Sequence, residues 1–226
     1  QKLMSYIKSF GFGKKTGINL PNESTGKIDF KYETEVFNAG FGQGITTTPI
    51  QIAQAMTSLT NDGVLLKPYI VSKIINPDTG EVILENKKNP GERVASSLTV
   101  KKMIQLMDDC VNGTGNTGLG FRIDSGQLIG KTGTSQIAKE DGSGYYSSKY
   151  DVISSFAGIY PKSNPEYIIY AAVKRPSNGS QKPLSNAVKE IVTNLSKYYG
   201  TEENNTSSVK IKEFKLDSYV NKKLFE

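Results

Sequence analysis

The chain has 226 residues, with 28 Lys and Arg against 22 Asp and Glu for a formal charge of +6, one cysteine, no histidine and no tryptophan. Those counts exclude a Ser-His-Asp triad, a Cys-His dyad, a histidine-containing zinc site and an internal disulfide. Any catalysis here rests on lysine, hydroxyls, carboxylates and backbone amides.

At roughly 150 residues per domain, the length suffices for a real hydrophobic core. The basic residues come as scattered pairs, Lys14-Lys15, Lys87-Lys88, Lys101-Lys102 and Lys222-Lys223. A nucleic-acid footprint would show a denser Lys/Arg block, so no nucleic-acid partner is expected. Mild basicity suits a surface working beside an anionic membrane or polymer. The longest apolar run, around Tyr167 to Val173, is strand-length and cannot span a bilayer. The opening Gln1-Lys2-Leu3-Met4 is already amphipathic and unlike a signal peptide, and it reads as a piece of something longer.

Leu3, Met4, Ile7 and Phe10 lie at near-helical spacing and stop at Gly11-Phe12-Gly13, which predicts a first helix. An irregular stretch follows through Pro21 and Gly26 to Phe30, then a glycine-rich loop, Gly40-Phe41-Gly42-Gln43-Gly44. That loop lacks the Gly-Lys-Ser/Thr ending of a phosphate loop and reads as a tight structural turn. Thr48 as N-cap, Pro49 at the first helical position and Gln51 as the reciprocal partner mark the clearest helix entrance. Ile52, Ala55, Met56 and Leu59 are its expected buried stripe, and Asn61-Asp62-Gly63 ends it.

Residues 71–75 and 81–84 flank Pro77-Asp78-Thr79-Gly80 and predict a surface hairpin. Thr99 to Asn112 is expected as a helix with Val100, Met103, Ile104, Met107 and Val111 inward and Cys110 as a small buried hydrophobe. Asp108 and Asp109 are adjacent on it, point apart, and make no metal or acid pair. After a loop containing Gly113, Gly115, Gly118 and Gly120, strands are expected over 127–138, 152–160 and 167–175. Pro161 to Pro165 joins the last two as a hairpin, and a closing helix covers 184–198 through Ala187, Val188, Ile191, Val192 and Leu195. The pattern predicts an α+β fold, an antiparallel sheet covered by helices. Residues 1–200 form the main domain, the wholly polar 201–208 a linker, and 209–226 the start of a small further module.

One segment carries chemistry: Ile129-Gly130-Lys131-Thr132-Gly133-Thr134-Ser135-Gln136. Period-two geometry puts Thr132 and Thr134 on one face, and Gly133, lacking Cβ, lets a ligand backbone lie against the strand. Lys131 and the two hydroxyls are candidates to capture the carboxylate of an extended peptide added as a strand. The Thr134 N–H, if unpaired in the sheet, is a candidate oxyanion donor. The competing reading is a hydrophilic turn, against which stand Leu128 and Ile129 just before it.

Lys131-Thr132-Gly133 matches the third signature of penicillin-binding proteins and class A β-lactamases. Beyond that triplet the chain resembles the class B penicillin-binding proteins, monofunctional peptidoglycan transpeptidases of division and elongation. The resemblance runs in order through residues 10–21 (Phe10-Gly11-Phe12-Gly13 onward), 40–44, Thr48-Pro49-Ile50-Gln51, Asn61-Asp62-Gly63, Gly113-Thr114-Gly115 and Gly130 to Gln136. It implies the penicillin-binding, serine β-lactamase-like fold, with residues 1–200 as the C-terminal part of its transpeptidase domain. The implied reaction is attack by a serine on the D-Ala-D-Ala carbonyl of a stem peptide, followed by acyl transfer to a neighbouring amine. β-Lactams inhibit such enzymes as mimics of that dipeptide.

Residue by residue, the resemblance makes Lys131 and Thr134 catalytic, and Lys131, Thr132, Gly133 and Thr134 substrate-binding, without cofactor or metal. It further implies a glycosyltransferase and other division or elongation proteins as partners. The implied location is the extracytoplasmic face of the bacterial membrane, with the N-terminal anchor outside this chain. Residues from Val209 faintly resemble the opening of the PASTA modules that follow some Gram-positive members. Two signatures are not matched in order. Ser5-Tyr6-Ile7-Lys8 has Ser-x-x-Lys spacing but stands out of the family's order, and no Ser-x-Asn occurs. The nucleophile is therefore expected outside these residues. Alternative readings are a D,D-carboxypeptidase or β-lactamase-type hydrolase on the same fold, or a non-catalytic scaffold binding wall peptide or β-lactam.

Overall fold

The computed structural model describes residues 2–199. Helix α1 (Lys2–Ser9) buries no residue and runs into the Gly11–Gly13 turn. Helix α2 (Glu33–Gly40) was not expected, because Phe37 is exposed and no apolar stripe announces it. Its local signal is Glu35, whose Oε2 accepts from the Tyr32 N–H at 2.9 Å.

Helix α3 (Pro49–Thr60) starts as expected: the Gln51 N–H donates to Thr48 Oγ1 at 3.3 Å and the Thr48 N–H to Gln51 Oε1 at 2.9 Å. Gln51 is completely buried, and its Nε2 donates to the Lys14 and Thr25 carbonyls, both at 2.8 Å. One side chain thus caps the helix and clamps the 14–26 loop to it. The stripe of Ile52, Ala55, Met56 and Leu59 is only half-buried, a correction to the expectation; the fully buried residues of α3 are Gln51 and Ser58. Two polar groups take the deepest places because each has partners there, Ser58 Oγ donating to the Ala55 carbonyl at 2.7 Å.

Strands β1 (Val64–Leu66), β2 (Lys73–Ile75), β3 (Val82–Glu85) and β4 (Pro90–Arg93) pair antiparallel as β1–β4 and β2–β3. The second pair is the expected hairpin. The first was not foreseen, since three- and four-residue strands are too short for a period to show. Helix α4 (Ser97–Asn112) is capped by Ser96, whose Oγ accepts from the Thr99 N–H at 3.2 Å. Val100, Met107 and Val111 are buried, whereas Met103 is exposed and Ile104 and Cys110 half-buried. The expected stripe was too wide by Met103, which lies on its flank.

A 3-10 turn (Leu119–Phe121) leads into β5 (Ile129–Gln136), β6 (Val152–Tyr160) and β7 (Tyr167–Lys174), an antiparallel sheet in that order, closed by α5 (Lys182–Tyr199). Alternation sorts the sheet onto two layers. On one face Leu128, Phe156 and Tyr160 meet Leu184, Val188 and Val192 of α5, with Val111 and Phe121. On the other, Ile129 and Ile159 meet Met107 of α4, flanked by Met56, Leu59 and Ile104. Each such aliphatic or aromatic burial contributes about 1.5–3 kcal/mol. The result is the α+β arrangement expected, with helices on both faces of the sheet. The linker at 201–208 and the module at 209–226 lie outside the described residues.

Candidate active-site edge

Strand β5 has one partner, β6, so its other edge is open among the described residues. The ladder pairs Ile129 with Ile159 through Gln136 with Val152. Just past it, the Ile137 N–H donates to the Asp151 carbonyl at 3.0 Å. Antiparallel pairs alternate between bonded and non-bonded. Residues 129, 131, 133 and 135 therefore spend their backbone groups on β6, and Gly130, Thr132 and Thr134 aim theirs at the open edge. The Thr134 N–H, a candidate oxyanion donor from sequence, faces outward.

The side chains divide differently. Lys131, Gly133 and Ser135 share the face toward α3 and α4; Thr132 and Thr134 share the face toward α5. Lys131 is exposed and reaches round the edge, its Nζ donating to the Thr132 carbonyl at 2.8 Å. Thr132 is 8% exposed, its Oγ1 lying 3.1 Å from Thr117 Oγ1. Thr134 is exposed, and its Oγ1 accepts from Gln181 Nε2 at 3.1 Å. All four residues singled out from sequence stand on this one edge, with the lysine and the hydroxyls rooted on opposite faces.

The glycines serve packing. A Cβ on Gly130 would stand 2.4 Å from the Phe156 ring, and one on Gly133 would stand 2.5 Å from Ser155 Oγ. Phe156 in turn stacks on Phe121, with centroids 4.1 Å apart and planes within 7°. That stack pins the 3-10 turn and so the loop carrying Thr117.

A cleft of about 690 Å³ opens on the α3 side, with Phe12, Phe41, Gly133, Ser135 and Tyr145 among its walls. The Tyr145 hydroxyl accepts from the Gly44 N–H at 3.0 Å, tying the 40–44 loop to the long β5–β6 loop. That long loop is held at its far end by the Arg175–Asp151 ion pair at 2.7 Å and by Arg175 lying 5.3 Å over the Tyr146 ring. A second cavity of about 440 Å³ lies on the α5 side, with Thr117, Gln181, Lys182 and Lys189 in its wall. Ser5 and Lys8 are exposed on α1 and line neither cavity. Their spacing recurs at Ser24-Thr25-Gly26-Lys27 and Ser207-Ser208-Val209-Lys210, so it is no distinguishing mark in this chain. No group of three or more acidic or cysteine side chains able to hold a metal occurs among the described residues.

Sequence reasoning missed Thr117, Tyr145 and Gln181. Each acts on a segment 15 or more residues away, and none carries a local signal.

Outward amides beside a lysine and two hydroxyls suit an extended peptide ending in a carboxylate. Comparison with known proteins agrees in kind. The model for the penicillin binding protein transpeptidase domain matches residues 1–194. Stage V sporulation protein D of Bacillus subtilis is 36% identical over 188 residues, covering 80% of this chain and 28% of that protein. The peptidoglycan D,D-transpeptidase FtsI homolog of Mesostigma viride is 33% identical over 193 residues, covering 76% of this chain and 31% of that protein. The crystal structure of penicillin binding protein 3 from Mycobacterium tuberculosis complexed with ampicillin superposes with a TM-score of 0.76 at 27% identity, over 91% of this chain and 47% of that one. The chain thus spans less than a third of the length of the two curated relatives. With the open edge of β5 bearing Lys131-Thr132-Gly133-Thr134, it belongs to the penicillin-binding protein transpeptidase family, in the line of the class B enzymes.

Proposed function

We propose that the protein carrying this chain is a peptidoglycan D,D-transpeptidase and that this chain supplies the strand edge on which its acyl donor lies. The observation that carries the reading is the polarity of β5: the Thr134 N–H and the Thr132 carbonyl face the open edge, beside the exposed Lys131 ammonium. The donor is a stem peptide ending in D-Ala-D-Ala, laid along that edge as an added strand. Its carboxylate is met by Lys131 and by the hydroxyls of Thr132 and Thr134, and Gly133 brings the strand close to the Ser155 side of the cleft.

The reaction is acyl transfer. A serine hydroxyl from outside this chain adds to the penultimate alanine's carbonyl, and the resulting oxyanion accepts from the Thr134 N–H. The peptide C–N bond then breaks and the terminal D-alanine leaves with a proton. An amine from a neighbouring stem peptide attacks the acyl-serine ester, forms the cross-link and returns the serine. A β-lactam enters by the same attack; its amide C–N bond opens, but the leaving amine stays tethered and the ester persists. No cofactor takes part.

The likeness to ampicillin-bound penicillin binding protein 3 supports the β-lactam part of this reading. Such an enzyme works at the outer face of the bacterial membrane beside a glycosyltransferase and other division or elongation proteins. Among the described residues no helix is long and apolar enough to cross a membrane.

The test is intact-mass analysis of the full transpeptidase domain after exposure to benzylpenicillin, and of D-alanine release from a D-Ala-D-Ala peptide. One covalent adduct per protein and released D-alanine are expected; absence of both overturns the reading.

A further inference from the structure

The two hydroxyls of β5 are each held by a side chain from elsewhere in the fold, and the two contacts differ in kind. Between Thr117 and Thr132 either oxygen can donate at 3.1 Å. Between Gln181 and Thr134 the Gln181 Nε2 amide donates and the hydroxyl oxygen accepts, at 3.1 Å. The Thr134 oxygen accepts, and its single proton is left for a different partner. The neighbouring backbone amide points to the open edge, where the donor carboxylate would lie.

Gln181 is itself fixed. Its carbonyl accepts from the Ser185 N–H at 2.9 Å, so its backbone begins the hydrogen-bond ladder of α5. That helix is seated on the sheet through Leu184, Val188 and Val192, which are 6%, 0% and 0% exposed. The distance from Gln181 to Thr134 is thus set by the core, while its amide lies in the wall of the α5-side cavity.

We propose that Gln181 is a positioning residue that keeps the Thr134 hydroxyl turned out as a hydrogen-bond donor to the carboxylate of the acyl donor. The inference rests on the reading of β5 given above. It makes the charge of the ligand's carboxylate the thing Gln181 helps to select, although Gln181 itself reaches only the hydroxyl. Glutamate at this position would reverse the bond: a carboxylate only accepts, so it would draw the Thr134 proton inward and set a negative charge near the ligand's own.

The test uses the full transpeptidase domain and two β-lactams, benzylpenicillin and its methyl ester, and reads the ratio of their second-order acylation rates. Because both rates come from one preparation, partial unfolding of a variant cancels from the ratio. Gln181→Ala should lower the acid-to-ester ratio about tenfold, the size of one charge-assisted hydrogen bond. Gln181→Glu should lower it further, about a hundredfold, by adding repulsion. A ratio unchanged in Gln181→Ala, or a Gln181→Glu variant that equals wild type, overturns the proposal. Thr134→Val separates the two claims. If it collapses the ratio while the Gln181 variants do not, the role of Gln181 alone is lost. If it too leaves the ratio unchanged, the carboxylate site assigned to β5 is lost with it.

Discussion

The two faces of β5 are drawn from the same eight residues and meet opposite surroundings. On the α5 face, Gly130 and Thr132 are buried under Phe156, Phe121 and Thr117, and only Thr134 emerges. On the α3 face, Lys131 and Ser135 look toward open space and Gly133 yields its volume to Ser155. A strand covered along one face and only in part on the other, where Ile129 packs on Met107, holds its backbone still while leaving its edge and Lys131 exposed. Such preorganisation is what binding a peptide in one register requires. The difference between the faces is that one supplies rigidity and the other access.

Breaking the rigid face should cost most. Phe156→Ala removes a completely buried ring that stacks on Phe121 and covers Gly130. A loss of about 3–5 kcal/mol is expected, read as a lower urea midpoint with acylation falling alongside it. Crowding the open face should cost less. Gly133→Val adds branched carbons to a Cβ that would itself stand 2.5 Å from Ser155 Oγ, for about 1–3 kcal/mol. Here acylation should fall far more than stability does, since the displaced backbone carries Lys131 and Thr134. If Gly133→Val is as stable and as active as wild type, Gly133 does not stand as close to Ser155 as described.

A smaller effect sharpens the same contrast away from β5. Partial burial pushes the Glu23 carboxyl up, but hydrogen bonds from the Thr16 hydroxyl and amide and the Gly17 amide, with Lys15 nearby, hold it below its ordinary value. The Thr16 donors lie at 2.6 and 2.7 Å. A depressed folded-state value means the stabilisation is complete above the unfolded value of 4.5 and is lost as pH falls through the lowered one. Acidification below about pH 4.5 should therefore loosen the 14–26 loop before the sheet. Amide exchange would check this, and Glu23→Gln should flatten that acid dependence.

Where a signal is local, the sequence carried it. Thr48, Pro49 and Gln51 announced α3 because a cap needs only three neighbouring residues. The strands β5 to β7 stood out through β-branched and aromatic content, and Lys131 to Thr134 stood together because they are consecutive. What stayed hidden needs partners distant in the chain. Nothing near Gln51 foretells its bonds to Lys14 and Thr25. Gly130 read as a flank of the motif until the Phe156 ring was seen to occupy its missing side chain. Met103 and Ile191 fit an apolar stripe by spacing, yet both are exposed, since spacing does not say how far around a helix its neighbours reach. Thr117 and Gln181 lie 15 and 47 residues from the hydroxyls they hold.

The most direct measurement is the rate at which benzylpenicillin acylates the full transpeptidase domain, in wild type and in Lys131→Ala. The exposed ammonium on the open edge makes no ion pair among the described residues, so its loss should leave the unfolding midpoint nearly unchanged. An acylation rate lower by about 10²–10³ is expected, the size of removing one preorganised hydrogen-bond donor from an acyl-transfer site. An unchanged rate in that stably folded variant would contradict it.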